Sequence, residues 1–331
     1  MNHDYFFNTL FSFEGIVNNL IVLDIRIKIN YYTEQIYPKA LENLNNFKSL
    51  KTLVLENIQL ENIFLLKLKT LENLTLINCD IILLDENIGL NMKTLILFKC
   101  SIERPNKPLK LPELLSLELI FLQDQKSYFI IDYSSLKKLK KIKIDSKDFL
   151  FISNSPLENI ILNPLNENSY DLEKKIIEKL FLFKNLVSIS IPIIRMNIED
   201  ISNNINKNNS LRKLEIYWIN KSNNCILDSL ENKFPNLTEL VINQDNQNNH
   251  SNNTNEIKIK IIQNPNCNIN ILRLNNIFIN TKLYCKPFEK LIEIELNLIN
   301  EINYLKNYIP IFEDKCKTIF SNLKSFKFSF I

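Results

Sequence analysis

Leu50-Lys51-Thr52-Leu53-Val54-Leu55 is a phrase that this chain repeats, and the interval of the repeat restricts the fold more than any other feature. It returns as Leu71-Glu72-Asn73-Leu74-Thr75-Leu76, as Met92-Lys93-Thr94-Leu95-Ile96-Leu97 and as Leu114-Leu115-Ser116-Leu117-Glu118-Leu119, at steps of 21, 21 and 22 residues. Further copies begin at Leu139, Leu157, Leu186, Leu211, Leu237, Ile269, Leu291 and Leu323, and a weaker one begins at Leu20. These are thirteen copies, spaced 18 to 32 residues apart. A period in this range marks stacked repeat architectures.

Composition alone would scatter such a pattern through a chain that is 45% hydrophobic, so three further regularities matter. Leu itself opens eleven of the thirteen copies. The copies Leu71, Leu74, Leu76, Cys79, Ile81 and Met92, Leu95, Leu97, Cys100, Ile102 extend in the same way. Five copies carry a Phe three residues upstream: Phe47, Phe183, Phe234, Phe288 and Phe320.

Counting the opening residue of each copy as residue one, residues four and six alternate with polar neighbours. That is the period of a strand with one face inward. The rest of each copy must return the chain to start the next parallel strand. Helical returns are expected at 171–183, 198–208, 225–234 and 304–320. In the first, Asp171 reads as an N-cap, with Leu172, Ile176, Ile177 and Leu180 on one apolar side. Returns of about 21 residues leave room only for a turn or an extended segment. One copy cannot bury its own leucines, so neighbours must stack and share a continuous core.

Residues 71–81 and 92–102 resemble the L-x-x-L-x-L-x-x-(N/C)-x-L consensus of the leucine-rich repeat family, and the resemblance extends over roughly 20–331. The variable lengths are similar to the cysteine-containing arrays of F-box receptors and ribonuclease-inhibitor-like proteins. The resemblance implies an α/β solenoid, a horseshoe with a parallel β-sheet on the concave face and helices and irregular segments on the convex face. Residue nine departs from the family pattern outside Cys79 and Cys100; elsewhere it is Ile58, Leu122, Leu165, Ile194, Ile219 or Ile277, and in some copies Lys28, Lys147 or Asp245. In the family this residue caps backbone groups in the turn after each strand, so the amides there must find other partners.

No Gly/Pro/Ser linker interrupts residues 1–331, so one elongated domain of about thirteen irregular copies is expected. The polar tract 243–255 reads as a mobile Asn-rich loop, in a chain with 51 Asn. Strand 326–331 ends the sequence without a polar cap; either the ends cap unusually or the chain is part of a longer architecture.

Several function classes find no support. Two glycines, Gly15 and Gly89, cannot supply phosphate-binding loops, and two histidines, His3 and His250, leave little for a histidine-based site. The six Cys form no CxxC pair, so no metal site or cofactor is expected, and their scatter suits a reducing cytoplasm. No apolar run is long enough to span a membrane, and the N-terminus lacks the positive start of a secretory signal. Carboxylates occur without a partner His or a nucleophile context, so no enzyme is expected. A net charge of +3 is too mild to imply nucleic acid. The cluster Lys137, Lys138, Lys140, Lys141, Lys143 and Lys147 reads as a solvated face more readily than as an anion site.

Function is therefore sought where residues three, five and seven of each copy face away from the core. Ile77, Phe98 and Ile120 occupy residue seven in consecutive copies, with Val54 and Ile96 at residue five beside them. An apolar patch on a wet surface marks a protein partner, unless a loop or the N-terminal residues cover it. Tyr217 is expected on the same face, with Trp218 either a binding aromatic at its edge or a core residue. Cys79 and Cys100 stand at equivalent positions of adjacent copies; the resemblance implies two buried thiols rather than a disulfide. The leading expectation is a non-catalytic protein-protein interaction module that binds its partner on the concave face. The alternative is the recognition arm of an F-box-type ubiquitin-ligase receptor, although residues 1–37 contain no Pro and so no Leu-Pro start of that motif.

Overall fold

Alternating apolar and polar residues after each opening leucine form a strand in all thirteen copies. The computed structural model describes residues 14–26, 44, 46–60, 69–81, 91–102, 108–121, 131–146, 148–152, 155–163, 170–180, 182–193, 208–218, 224–228, 230–244, 258–262, 267–278, 282–285, 290–299 and 322–330. The chain divides into two units, Met1–Leu157 and Glu158–Ile331.

Unit 1 begins with a short helix, α1 (Glu14–Asn19), followed by β1 (Val22–Arg26), β2 (Thr52–Glu56), β3 (Gln59–Leu60), β4 (Asn73–Ile77), β5 (Asp80–Ile81), β6 (Thr94–Ile102), β7 (Ser116–Phe121) and β8 (Lys141–Asp145). Its sheet runs β1-β2-β4-β6-β7-β8, and every pairing is parallel. The register aligns each copy on the next. Residue four forms the row Leu23, Leu53, Leu74, Leu95, Leu117 and Ile142, and residue six forms the row Ile25, Leu55, Leu76, Leu97 and Leu119. All eleven are buried. Each contributes about 1.5–3 kcal/mol by leaving water, which makes this spine the main source of stability.

Unit 2 holds β9 (Asn159–Asn163), α2 (Tyr170–Leu180), β10 (Ser188–Ile193), β11 (Lys213–Trp218), β12 (Asn224–Asp228), α3 (Leu230–Lys233), β13 (Glu239–Gln244), β14 (Lys258–Ile262), β15 (Ile271–Phe278), β16 (Lys282–Cys285), β17 (Glu293–Ile299) and β18 (Ser325–Phe330). Its main sheet runs β9-β10-β11-β13-β15-β17-β18, again all parallel. Residue four again makes a straight row: Ile160, Ile189, Leu214, Leu240, Leu272, Ile294 and Phe326. Open, all-parallel sheets with few helices among the described residues give each unit a solenoid-like α/β architecture.

The upstream phenylalanines that are described, Phe47, Phe183 and Phe234, are all buried. In the copy that opens at Leu211 the same place is taken by Asn208, also buried, whose Oδ1 accepts from the amides of Ser210 (2.9 Å) and Leu211 (3.1 Å). In several copies the polar residue just before the opening residue has a role too. Its side chain donates to a backbone carbonyl of the preceding copy: Ser49 to Asn18 (2.6 Å), Asn91 to Lys69 (3.0 Å), Ser210 to Lys184 (2.7 Å), Asn236 to Asn209 (2.8 Å) and Asn268 to Pro235 (2.6 Å). These rungs join successive copies through turns that a core of leucines cannot reach.

The helical expectations divide. Helix α2 lies in the expected segment and buries Ile176, Ile177 and Leu180; it starts at Tyr170, so Asp171 sits in its first turn and is not the N-cap. The expected helix at 225–234 is corrected: residues 224–228 form β12, and only Leu230–Lys233 is helical. The β-branched and apolar run there pairs instead in a second parallel sheet, β12-β14-β16. Residues 198–207 and 304–320 lie outside the described residues. Strand β13 extends through Asn243 and Gln244, the first two residues of the tract read as a loop; 245–255 lie outside the described residues.

Candidate functional site

The face of the unit 1 sheet that points away from the leucine spine is built from residues three, five and seven. Residue three is polar or charged in the middle of the sheet: Thr52, Asn73, Thr94 and Ser116 pair side by side. Residue seven is different. Ile77 pairs with Phe98, and Phe98 with Ile120, so these three side chains form one row across β4, β6 and β7. At residue five the row runs Val54, Thr75, Ile96 and Glu118. All five residues read from the sequence as a patch are half-buried and stand together on this face. Charges bound the patch on both sides. Arg26 bonds Asp24 at 3.0 Å on one, and Lys143 bonds Glu118 at 2.6 Å on the other.

Backbone chemistry directly after the patch explains how the sheet ends there. Asn57, Asn78 and Lys99, residue eight of three successive copies, all have positive φ (60°, 51° and 53°). Asn tolerates this left-handed region and Lys does so at a cost. Asn78 Nδ2 donates to Asn57 Oδ1 at 2.6 Å, while Lys99 places its ammonium 5.5 Å from the Phe98 ring centre. The turn re-aims the chain so that β3, β5 and the end of β6 pair as a short second run of parallel strand.

Residue nine is the buried Ile58, Cys79 or Cys100. Cys79 and Cys100 are free thiols. Each reaches back one copy, Cys79 Sγ to the Leu55 carbonyl (3.5 Å) and Cys100 Sγ to the Leu76 carbonyl (3.3 Å). The hydrogen bond to Cys79, and then burial, push the Cys100 thiol well above its ordinary pKa, so it stays protonated and structural.

In unit 2 the outward face is electrostatic. From β15, Arg273 bonds Glu239 of β13 and both Glu295 (2.9 Å) and Glu293 (3.4 Å) of β17. Lys213 joins Glu239 at 3.3 Å, and Lys327 joins Glu293 at 3.1 Å. Burial pulls the Arg273 guanidinium down, but its bond to Glu295 and the surrounding carboxylates outweigh that and hold its pKa above the ordinary value. Tyr217 is on this face and exposed, as the alternation predicts, but its row neighbours are Pro192 and the buried Asn243, so it extends no apolar patch. Asn243 donates to Glu215 (2.7 Å) and accepts from Asn275 (2.7 Å). Partial burial, then the charge and hydrogen bond of Glu215, raise the Tyr217 phenol above its ordinary value. Trp218 is paired with Ile193 and Gln244, and its side chain lies outside the described set.

The lysine cluster is partly neutralised: Lys138 bonds Glu113 at 2.7 Å and Lys143 bonds Glu118. Sequence reasoning missed a different basic region. A cleft of about 650 Å³ runs along the edge of unit 2 where β11, β13, β15, β17 and β18 begin. Asn236, Asn268, Lys290 and Asn322, each just before an opening residue, make one row of its lining. Arg212, Thr238, Asn270, Ile292 and Lys324, each residue two of a copy, make the other. The signal was present in the recurring Asn before the leucine, but the register that stacks it is a tertiary property.

No described helix is long and apolar enough to cross a membrane, and the described residues hold no cluster of three or more His, Cys, Asp or Glu that could bind a metal ion. No family model matches the chain, and no curated protein matches it.

Proposed function

We propose that this chain is a leucine-rich-repeat interaction module of the cytoplasm, non-catalytic, whose curved sheet holds a protein partner on its concave face. The observation that carries this reading is the row Ile77, Phe98 and Ile120, flanked by Val54 and Ile96 and bounded by ion pairs. Three neighbouring strands place that row over about 10 Å, at roughly 4.8 Å per strand. An aromatic anchor ringed by aliphatic and then charged groups is the composition of an interface hot spot. Placing the returns on the convex side leaves this face open along its length, which suits a large partner.

Quantitative recovery of bound proteins, compared between the native chain and a Phe98→Ala/Ile120→Ala variant, tests the reading. Loss of a hot-spot pair lowers recovery by about tenfold or more. Undiminished recovery by a variant with an unchanged urea midpoint would remove the proposal.

A further inference from the structure

The cleft of unit 2 has a charge property that its surroundings lack. On the outward face next to it, Lys213, Arg273 and Lys327 each meet a carboxylate. Along the equivalent edge of unit 1, Glu72 takes both Lys51 (3.3 Å) and Lys93 (2.6 Å), and the two lysines hold its carboxyl below the ordinary range, Lys93 foremost. Among the described residues the cleft has no such compensation. There Arg212 bonds the carbonyls of Asn209 (3.2 Å) and Asn236 (3.4 Å), and Lys290 the side-chain carbonyl of Asn268 (2.7 Å). Among the described residues, Arg212, Lys290 and Lys324 have no carboxylate partner, and no carboxylate is part of the lining. Three cations facing one concavity without a counter-charge are a standing attraction for an anion.

The spacing and the other lining groups narrow its chemistry. Arg212 immediately precedes β11 and Lys324 immediately precedes β18, four strand steps away, which is about 19 Å at 4.8 Å per step. Extended peptide covers that distance in about six residues. Between the cations lie carboxamides and a threonine hydroxyl, groups that both donate and accept. Asn270 adds a carboxamide whose Oδ1 is buried and finds no hydrogen-bond partner among the described residues. A phosphate offers mainly acceptors and answers only the donors of that row. A peptide bond carries a donor and an acceptor, so it matches groups that both donate and accept.

We propose that this cleft binds an extended acidic segment of a partner protein, its carboxylates on Arg212, Lys290 and Lys324 and its backbone across the carboxamides. The site lies wholly in unit 2 and stands whether or not the unit 1 patch binds anything. The test uses fluorescence anisotropy at low salt, with a labelled octapeptide of alternating Glu and Thr as the probe. Lys290 and Lys324 are exposed, so Lys290→Ala and Lys324→Ala leave the core intact. Each is expected to weaken binding about threefold to fivefold, and the pair about tenfold or more. Lys93→Ala, on the self-paired edge of unit 1, is expected to leave binding unchanged. Equal binding by the native chain and the double variant overturns the proposal, as does equal binding of the peptide with Gln in place of Glu. Binding of tripolyphosphate or of an oligothymidine octamer, without binding of the acidic peptide, overturns it in favour of a phosphate ligand.

Discussion

Unit 1 and unit 2 are each built on the same kind of spine and differ in what stands on it. In each, residue four of successive copies stacks into a row that is buried wherever its side chain is described, and the carbonyl of residue two accepts two successive amides from the next copy. Lys51 does so from Glu72 and Asn73 (both 2.9 Å), and Asn270 from Ile292 (2.9 Å) and Glu293 (3.1 Å). Away from the spine the two diverge. Unit 1 shows an apolar row with a self-neutralised edge, whereas unit 2 shows an ion-pair network beside an edge with uncompensated cations. The inward positions answer to packing and hardly vary in kind. The outward positions carry no such constraint, so each unit is free to present its own chemistry on an equivalent scaffold.

The equivalence of the spines has the largest measurable consequence. Leu74→Ala in unit 1 and Leu240→Ala in unit 2 remove fully buried side chains from the same row position. Each is expected to cost about 2–5 kcal/mol in urea unfolding. A large loss at one and none at the other would break the comparison.

The difference between the faces is sharpened by charge removal. Arg273→Met removes the cation that Glu239, Glu293 and Glu295 share, leaving Lys213 on Glu239 and Lys327 on Glu293 to offset three neighbouring carboxylates. With 27% of that side chain still meeting solvent, the expected loss is about 1–2 kcal/mol, shrinking as salt is added. Lys93→Met in unit 1 should show no measurable loss, since Glu72 keeps Lys51. Equal effects of the two variants would mean that the unit 2 network is no more than a set of surface pairs.

The smallest effect concerns the turn that, among the described residues, repeats in unit 1 alone. Lys99→Asn relieves a left-handed Lys and brings an amide to the place where Asn78 meets Asn57. The gain is expected to be about 0.5 kcal/mol, because the variant also gives up the Lys99 contact with Phe98. A destabilised Lys99→Asn would show that the turn is held by the ring contact rather than by backbone preference.

Much of this was legible in the sequence. Thirteen opening residues located thirteen strands of the main sheets, because a period-two pattern with one apolar face has one low-energy answer when the copies are stacked. The patch at Ile77, Phe98 and Ile120 followed from the same count, since parallel register carries residue seven of one copy beside residue seven of the next. Where pattern was absent, sequence reasoning failed. Residues 225–234 read as a helix, but pairing with β14 made most of that segment a strand, and an apolar run of such length does not itself distinguish the two.

By itself the sequence determined the repeat, the inward face of each strand and the order in which the copies follow one another, because these depend on spacing along the chain. Tertiary structure alone decided which charges are neutralised. Arg273 finds its three carboxylates, and Arg212, Lys290 and Lys324 find none among the described residues, through register between copies 20 to 34 residues apart. Ion pairing is a matter of distance in space, and no local pattern of residues encodes it.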